Sequence, residues 1–186
     1  LLLPYFSYKW NGEYVDMFPV TDGENTYWLV PLIVKLSAGD VPWSKDHSFM
    51  RFIGYALVDV YNGDIKLIII GNEAISKLIK HIYKDILIKE IPDWLKKQSR
   101  FPAEAFEYQV EMFNYYHIDD PATFIQAREF YEIPEGVSTY FIIARYPGFQ
   151  KPEFLGVISL QLKGSMGRNL AGFMVVRNDY PHLGEK

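Results

Sequence analysis

An α+β fold built on a mainly antiparallel sheet is what this sequence predicts, and three observations predict it. Runs of branched and aromatic residues recur at strand length over residues 13–71 and again over residues 138–177. Between them, residues 73–131 change to helical periodicity. Asn62-Gly63, set between two apolar runs, is a short-range hairpin signal, and a hairpin joins its strands antiparallel. The expectation is a single domain over residues 1–186, with the helical insert packed on the sheet.

The first strand signals are "EYVDMF", "TYWLVPLIV", "FMRFIGYALVDVY" and "DIKLIII", separated by Gly, Asn and Asp. Asn62 and Gly63 lie between Tyr61 and Asp64 and tolerate positive φ, so a two-residue type I′ turn is expected there. Alternation along the third run places Met50, Phe52, Ala56, Val58 and Val60 on one face and Arg51 and Asp59 on the other. Ile75, Leu78, Ile79, Ile82 and Ile86 then recur as an apolar helical stripe opposite Lys77, Lys80 and Lys84, ending before Pro92. A short turn or helix, "PDWLKKQS", follows. Pro102 reads as the first position of the helix "PAEAFEYQVEMFNYY", with Phe106, Val110 and Phe113 inward. A third helix starts near Asp120-Pro121, and strands return in "STYFIIARY", "EFLGVISLQL" and "LAGFMVVR".

A chain of 186 residues with 49% hydrophobic content has enough apolar surface for a core of its own. Its formal charge of −4 gives no basic field for nucleic acid, so nucleic-acid partners are not expected. The absence of cysteine removes disulfides, thiolate nucleophiles and thiolate metal sites together. No apolar run reaches the length of about 18 residues that a spanning helix needs, because Pro31 and Gly71 interrupt the longest ones. The start, "LLLPYFSYKW", lacks the basic flank of a secretion signal and reads as a cut from something longer. With 13 Phe, 14 Tyr and 4 Trp, the aromatic content suits either a thick core or a partner surface.

The stretch from Tyr116 to Pro134 concentrates chemistry-bearing residues, and His117, Asp119 and Glu132 are its catalytic candidates. Asp120 before Pro121 is also the pattern of a helix N-cap followed by the proline favoured at the first helical position. His117 falls at the end of the preceding helix, where a basic side chain meets terminal carbonyls. On these readings Asn62, Gly63, Pro102, Asp120 and Pro121 are structural. The four histidines show no metal-ligand spacing, "DGEN" at residues 22–25 reads as a turn, and the glycines of "GSMGRNLAG" match no phosphate or dinucleotide fingerprint. No cofactor and no metal are implied. Acids predominate over residues 101–135, where Arg128 is the one Lys or Arg, which suits a solvated helix face or, as a third idea, a cation site.

With these phrases in view, the chain resembles uncharacterised protein family 0182. "LLPYFSYKWNGEYV", "FMRFIGYALVDVYNGDIKLI", "SRFPAEAFEYQVEMFNYYHIDDPATF" and "EFYEIP" are similar, in that order, to phrases of the family. The match is most specific at Arg51, Asp59, Tyr61, Gly63, Pro102, Phe106, Tyr116, His117, Asp120, Pro121, Phe124, Glu132 and Pro134. The chain departs from the family at Pro31, which stands where an acid is usual, and in "SMGRNLAG", a shortened asparagine-rich stretch that keeps Arg168 and Asn169. The resemblance implies part of an extracytoplasmic region that follows several membrane-spanning helices.

From this follows the expected function: a non-catalytic envelope module at the extracytoplasmic face of the cell membrane, anchored through a segment outside this chain. It would bind a membrane protein partner, another copy of itself or lipid; any small-molecule ligand is unknown. The alternative is a hydrolase or transferase centred on residues 117–132, which requires His117, Asp119 and Glu132 to converge on one pocket.

Overall fold

The structure is a computed structural model that describes residues 6, 9–10, 13–14, 16–36, 49–125, 130–163 and 169–186. The fold is α+β with antiparallel sheets, and the chain divides into two compact units, Leu1–Gln98 and Ser99–Lys186. The strand signals on either side of the helical block therefore build separate sheets, each within its own unit.

In the first unit, a two-stranded piece pairs β1 (Lys9–Trp10) with β2 (Glu13–Tyr14). The main sheet has the order β3 (Phe18–Thr21), β4 (Thr26–Leu36), β5 (Phe49–Asp59), β6 (Ile65–Ile69). Pro31 lies opposite Tyr55, past Leu29 where β3 still pairs with β4, so its missing N–H falls where no β3 partner waits. The β4–β5 register shifts by one residue: Ile33 faces Phe52, while Leu32 faces Gly54. This bulge exchanges the faces of β5. Met50 and Phe52 share a face with Tyr55, Leu57 and Asp59, whereas Arg51 joins Ile53, Ala56 and Val58 on the other. The simple alternation expected from sequence fails here because one extra residue inverts every later side chain. Gly54 makes the bulge possible: its φ of 151° lies outside the range of ordinary residues, and a Cβ would overlap the Ile68 carbonyl oxygen.

One sheet face packs Leu32, Val34, Ile53, Ala56, Leu67 and Ile69 against Ile79 of helix α1 (Ala74–Ile82). The other carries Val20, Leu29, Ile33, Tyr55, Leu57 and Ile68, also buried, so the sheet has buried side chains on both faces. Helix α1 is shorter than its periodicity predicts, and Leu78 and Ile82 are exposed. After it, a single 3-10 turn at Lys84–Ile86 brings Leu87 alongside Leu67, with Ile88 N–H donating to Leu67 O at 2.8 Å. The apolar run is thus spent on closing the β6 edge rather than on extending the helix. Helix α2 (Asp93–Lys96) follows, and Gln98 reaches back to the opposite edge, accepting from Thr21 N–H at 3.0 Å and donating to Thr21 O at 2.7 Å.

In the second unit, α3 (Ala103–Tyr116) begins one residue later than expected, with Pro102 at the N-cap. Its Phe106 and Val110 are buried, whereas Phe113 is exposed. Then come α4 (Pro121–Ile125), β7 (Tyr131–Glu132), β8 (Tyr140–Ala144), β9 (Glu153–Leu162) and β10 (Leu170–Arg177). Strand β9 is central: β10 pairs along one side, and β7 and β8 pair end to end along the other. The turn expected over residues 164–168, including Arg168, lies outside the described residues.

Candidate functional site

The Tyr116–Pro134 stretch does not assemble a reaction centre. His117 follows α3 directly; its Nδ1 lies 2.8 Å from Phe113 O, and its ring is stacked between Phe113 at 4.9 Å and Tyr131 at 5.1 Å. Glu132 is next to Tyr131 in β7, so it leaves the strand on the opposite face, where it accepts a 2.8 Å bond from Gln161 Nε2. The base and the acid of the supposed site therefore point apart. Asp119 is exposed and makes no hydrogen bond among the described residues. Asp120 accepts Thr123 N–H at 2.7 Å; the Thr123 hydroxyl and N–H together hold its carboxyl below the usual range, and Pro121 opens α4. Among the described residues, no three His, Asp or Glu are grouped to hold a metal ion.

Two other clefts carry more polar chemistry. In the second unit, one of about 660 Å³ is lined by Phe149, Lys151, Glu153, Arg177, Tyr180 and His182. Strand register creates its floor, because Glu153 opens β9 and Arg177 closes β10. Arg177 Nε and Nη2 each donate to Glu153 at 2.7 Å, Nη1 donates to Glu185 at 3.0 Å, and the guanidinium lies 4.7 Å above the Phe149 ring. The bidentate bond to Arg177 draws the Glu153 carboxyl down against the opposing effect of burial. His182 Nδ1, 2.9 Å from Glu185, extends the network and draws the Glu185 carboxyl down in turn. Each guanidinium nitrogen that donates here already has an acceptor, which makes this network a clamp rather than an anion site. It holds the following residues onto β10, where Arg177 N–H donates to Glu185 O and Gly184 N–H to Arg177 O, both at 2.8 Å.

In the first unit, a cleft of about 390 Å³ lies beside the β5–β6 hairpin, lined among others by Tyr27, Asp59, Asn62, Asp64, Lys66 and Trp94. The hairpin has four residues between paired Asp59 and Asp64, not two. Asp59 Oδ1 accepts both Tyr61 N–H at 2.8 Å and Asn62 N–H at 3.0 Å, and this side-chain turn widens the loop beyond a type I′ turn. Gly63 takes φ 77°, and Asn62 Oδ1 accepts Asp64 N–H. On the opposite wall, Asp22 binds the N–H groups of Asn25 and Glu24 and the Tyr27 hydroxyl, which together lower its pKa to about 2. Tyr27, so anchored, stacks on Trp94 of α2 at 5.8 Å and 24°.

The comparisons with known proteins bear on the whole chain. The model of the Uncharacterised protein family (UPF0182) matches residues 16–186. The chain belongs to this family. It is similar to a UPF0182 protein of Geotalea uraniireducens, 28% identical over 177 residues that make up 89% of this chain and 19% of that protein. A UPF0182 protein of a Sulfurovum species is 27% identical over 69% of this chain and 15% of its own length, and one of Microcystis aeruginosa is 24% identical over 99% and 20%. This UPF0182 chain thus spans about a fifth of the curated relatives it matches. No solved structure matches it.

Sequence reasoning read Asn62 and the residues 22–25 turn as structure and passed over most of the other residues that shape the two clefts. Tyr27, held by Asp22 of the same hairpin, meets Trp94 from a distant helix, and Glu153 and Arg177 meet only through β9–β10 register. The available signals were a tryptophan on a helix of one turn and an Arg at the end of an apolar strand. Neither is specific by itself.

Proposed function

We propose that this UPF0182 chain is a non-catalytic, extracytoplasmic part of a membrane-anchored envelope protein, and that it binds a protein partner. The observation that carries this reading is the apolar face of the second-unit sheet. Register puts Tyr140, Ile142, Leu170 and Phe173 on one face, and all four are exposed, Phe173 at 45%. Beside them, Tyr146, Phe149, Phe173 and Val175 line a cleft of about 380 Å³. The four flank β9, whose Leu155 and Val157 on the same face are buried, and exposed apolar side chains on one sheet face are a feature of interaction surfaces. A protein, whether another subunit or a different chain, fits better than lipid. Among the described residues no strand pairs with the outer edge of β8, and such an edge offers N–H and C=O groups that another polypeptide can pair with. No helix among the described residues is long and apolar enough to cross a membrane, so the proposed anchor belongs to the rest of the longer protein. The divergence of His117 and Glu132 weighs against the hydrolase or transferase alternative.

Two experiments test this in cells that make the full-length protein. The chain has no cysteine of its own, so Tyr61→Cys, at the fully exposed hairpin tip, gives one reporter thiol within it. A membrane-impermeant maleimide should label that thiol in intact cells; labelling only after lysis would overturn the location. A photo-crosslinking residue at position 142 should yield a discrete protein adduct that Phe173→Lys removes. A ladder of lipid adducts, or no adduct, would overturn the binding role.

A further inference from the structure

We infer that the first-unit cleft between the β5–β6 hairpin and α2 is a saccharide-binding site. This goes beyond the protein-binding role and uses other residues in the other unit.

The first ground is a set of polar groups without a hydrogen-bond partner among the described residues, set around an aromatic wall. Among the described residues, the Asp64 carboxylate, the Lys66 ammonium, the Asn62 side-chain amide N–H and Asp59 Oδ2 make no hydrogen bond. Carboxylate acceptors and two kinds of donor, an ammonium and an amide, thus line one opening. A sugar hydroxyl both donates and accepts, so each can give its proton to a carboxylate and receive one from the ammonium or amide beside it. A simple cation uses only the carboxylates and is repelled by Lys66. A metal ion is disfavoured too, because no three His, Asp or Glu among the described residues are grouped to hold one.

The second ground is the wall itself. Tyr27 and Trp94 form a stacked pair at the cleft, and an aromatic face, negative at its centre, attracts the polarised C–H groups on the apolar side of a pyranose ring. Asp22 has spent both carboxylate oxygens on holding this pair in place, one on backbone N–H groups and the other on the Tyr27 hydroxyl. The platform is therefore preorganised before any ligand arrives, which lowers the ordering cost of binding. A cavity of about 390 Å³ also falls in the usual range for small-ligand clefts, roughly 300–1,000 Å³.

Saturation-transfer difference NMR on the full-length protein tests the assignment, with cellobiose, chitobiose and maltose as probes and tetramethylammonium as the cationic control. At least one disaccharide should receive saturation at its ring protons, while tetramethylammonium receives none. Asp64→Asn and Lys66→Gln change exposed side chains that hold nothing in the fold, and each should weaken the sugar by about tenfold. Trp94→Leu should abolish the ring-proton signal. Transfer to tetramethylammonium alone, transfer to none of the three sugars, or sugar binding unchanged in both Asp64→Asn and Lys66→Gln would overturn the proposal.

Discussion

The sheets of the two units treat their edges differently. In the first, Gln98 bonds both backbone groups of Thr21 on β3, and Leu87–Ile88 runs along β6, so each edge receives something from its own unit. In the second, among the described residues, the outer edge of β10 is met near Arg177, and no strand pairs with the outer edge of β8, whose Ile143 is 77% exposed. Unpaired, apolar edges invite another polypeptide, and proteins normally blunt them. The contrast assigns different tasks: the first unit closes its sheet and leaves a polar cleft, while the second leaves apolar strand surface open.

The largest way to break this contrast is Gly54→Ala. It forces a side chain onto the Ile68 carbonyl at a backbone conformation that alanine rarely adopts, and should cost about 3 kcal/mol or more in urea unfolding. A loss below 1 kcal/mol, on the order of an ordinary surface change, would mean that the bulge is not rigid.

Next comes Glu153→Gln in the second unit, expected to lower Tm by several degrees by withdrawing the charged partner of Arg177. Its pH dependence has a definite sign. Arg177 holds the folded Glu153 pKa below the unfolded value of about 4.3, so the stabilisation is complete above that pH and is lost as pH falls through the folded pKa. The Tm gap between wild type and Glu153→Gln should therefore narrow on acidification. A gap constant from neutral pH to pH 3, roughly a unit below the unfolded value, would refute the ion-pair account.

Gln98→Ala sharpens the edge comparison. It removes two bonds to Thr21 and should cost about 1 kcal/mol in denaturant unfolding, while hydrogen exchange at the Thr21 amide accelerates. Unchanged protection at Thr21 would show that Gln98 does not guard the edge. The smallest stability effect is expected for Ile143→Lys, within about 0.5 kcal/mol, because the side chain has little to lose. Association with a partner should nevertheless fall. A large stability loss instead would mean that Ile143 serves the fold.

Much of the fold was legible in short-range pattern. Strands β9 and β10 match their apolar runs end to end, and Asp120-Pro121 carries its cap and first helical residue in two letters. The β5–β6 connection was legible as a hairpin, but its length was not, because the Asp59 carboxylate competes for the loop N–H groups. At the candidate sites, legibility was lower. Clustering in sequence drew attention to His117 and Glu132, yet strand alternation after Tyr131 sends them apart.

What the sequence by itself determined is therefore the α+β class, the antiparallel pairing, the position of the helical block and the family. Each depends on residues within one turn, one strand or one recognisable phrase. Only tertiary structure decided the face exchange at Gly54, the division of the strands into two sheets, the meeting of Tyr27 with Trp94, and the Glu153–Arg177 clamp. These depend on register and on contacts between distant segments, where a shift of one residue moves a side chain to the opposite face.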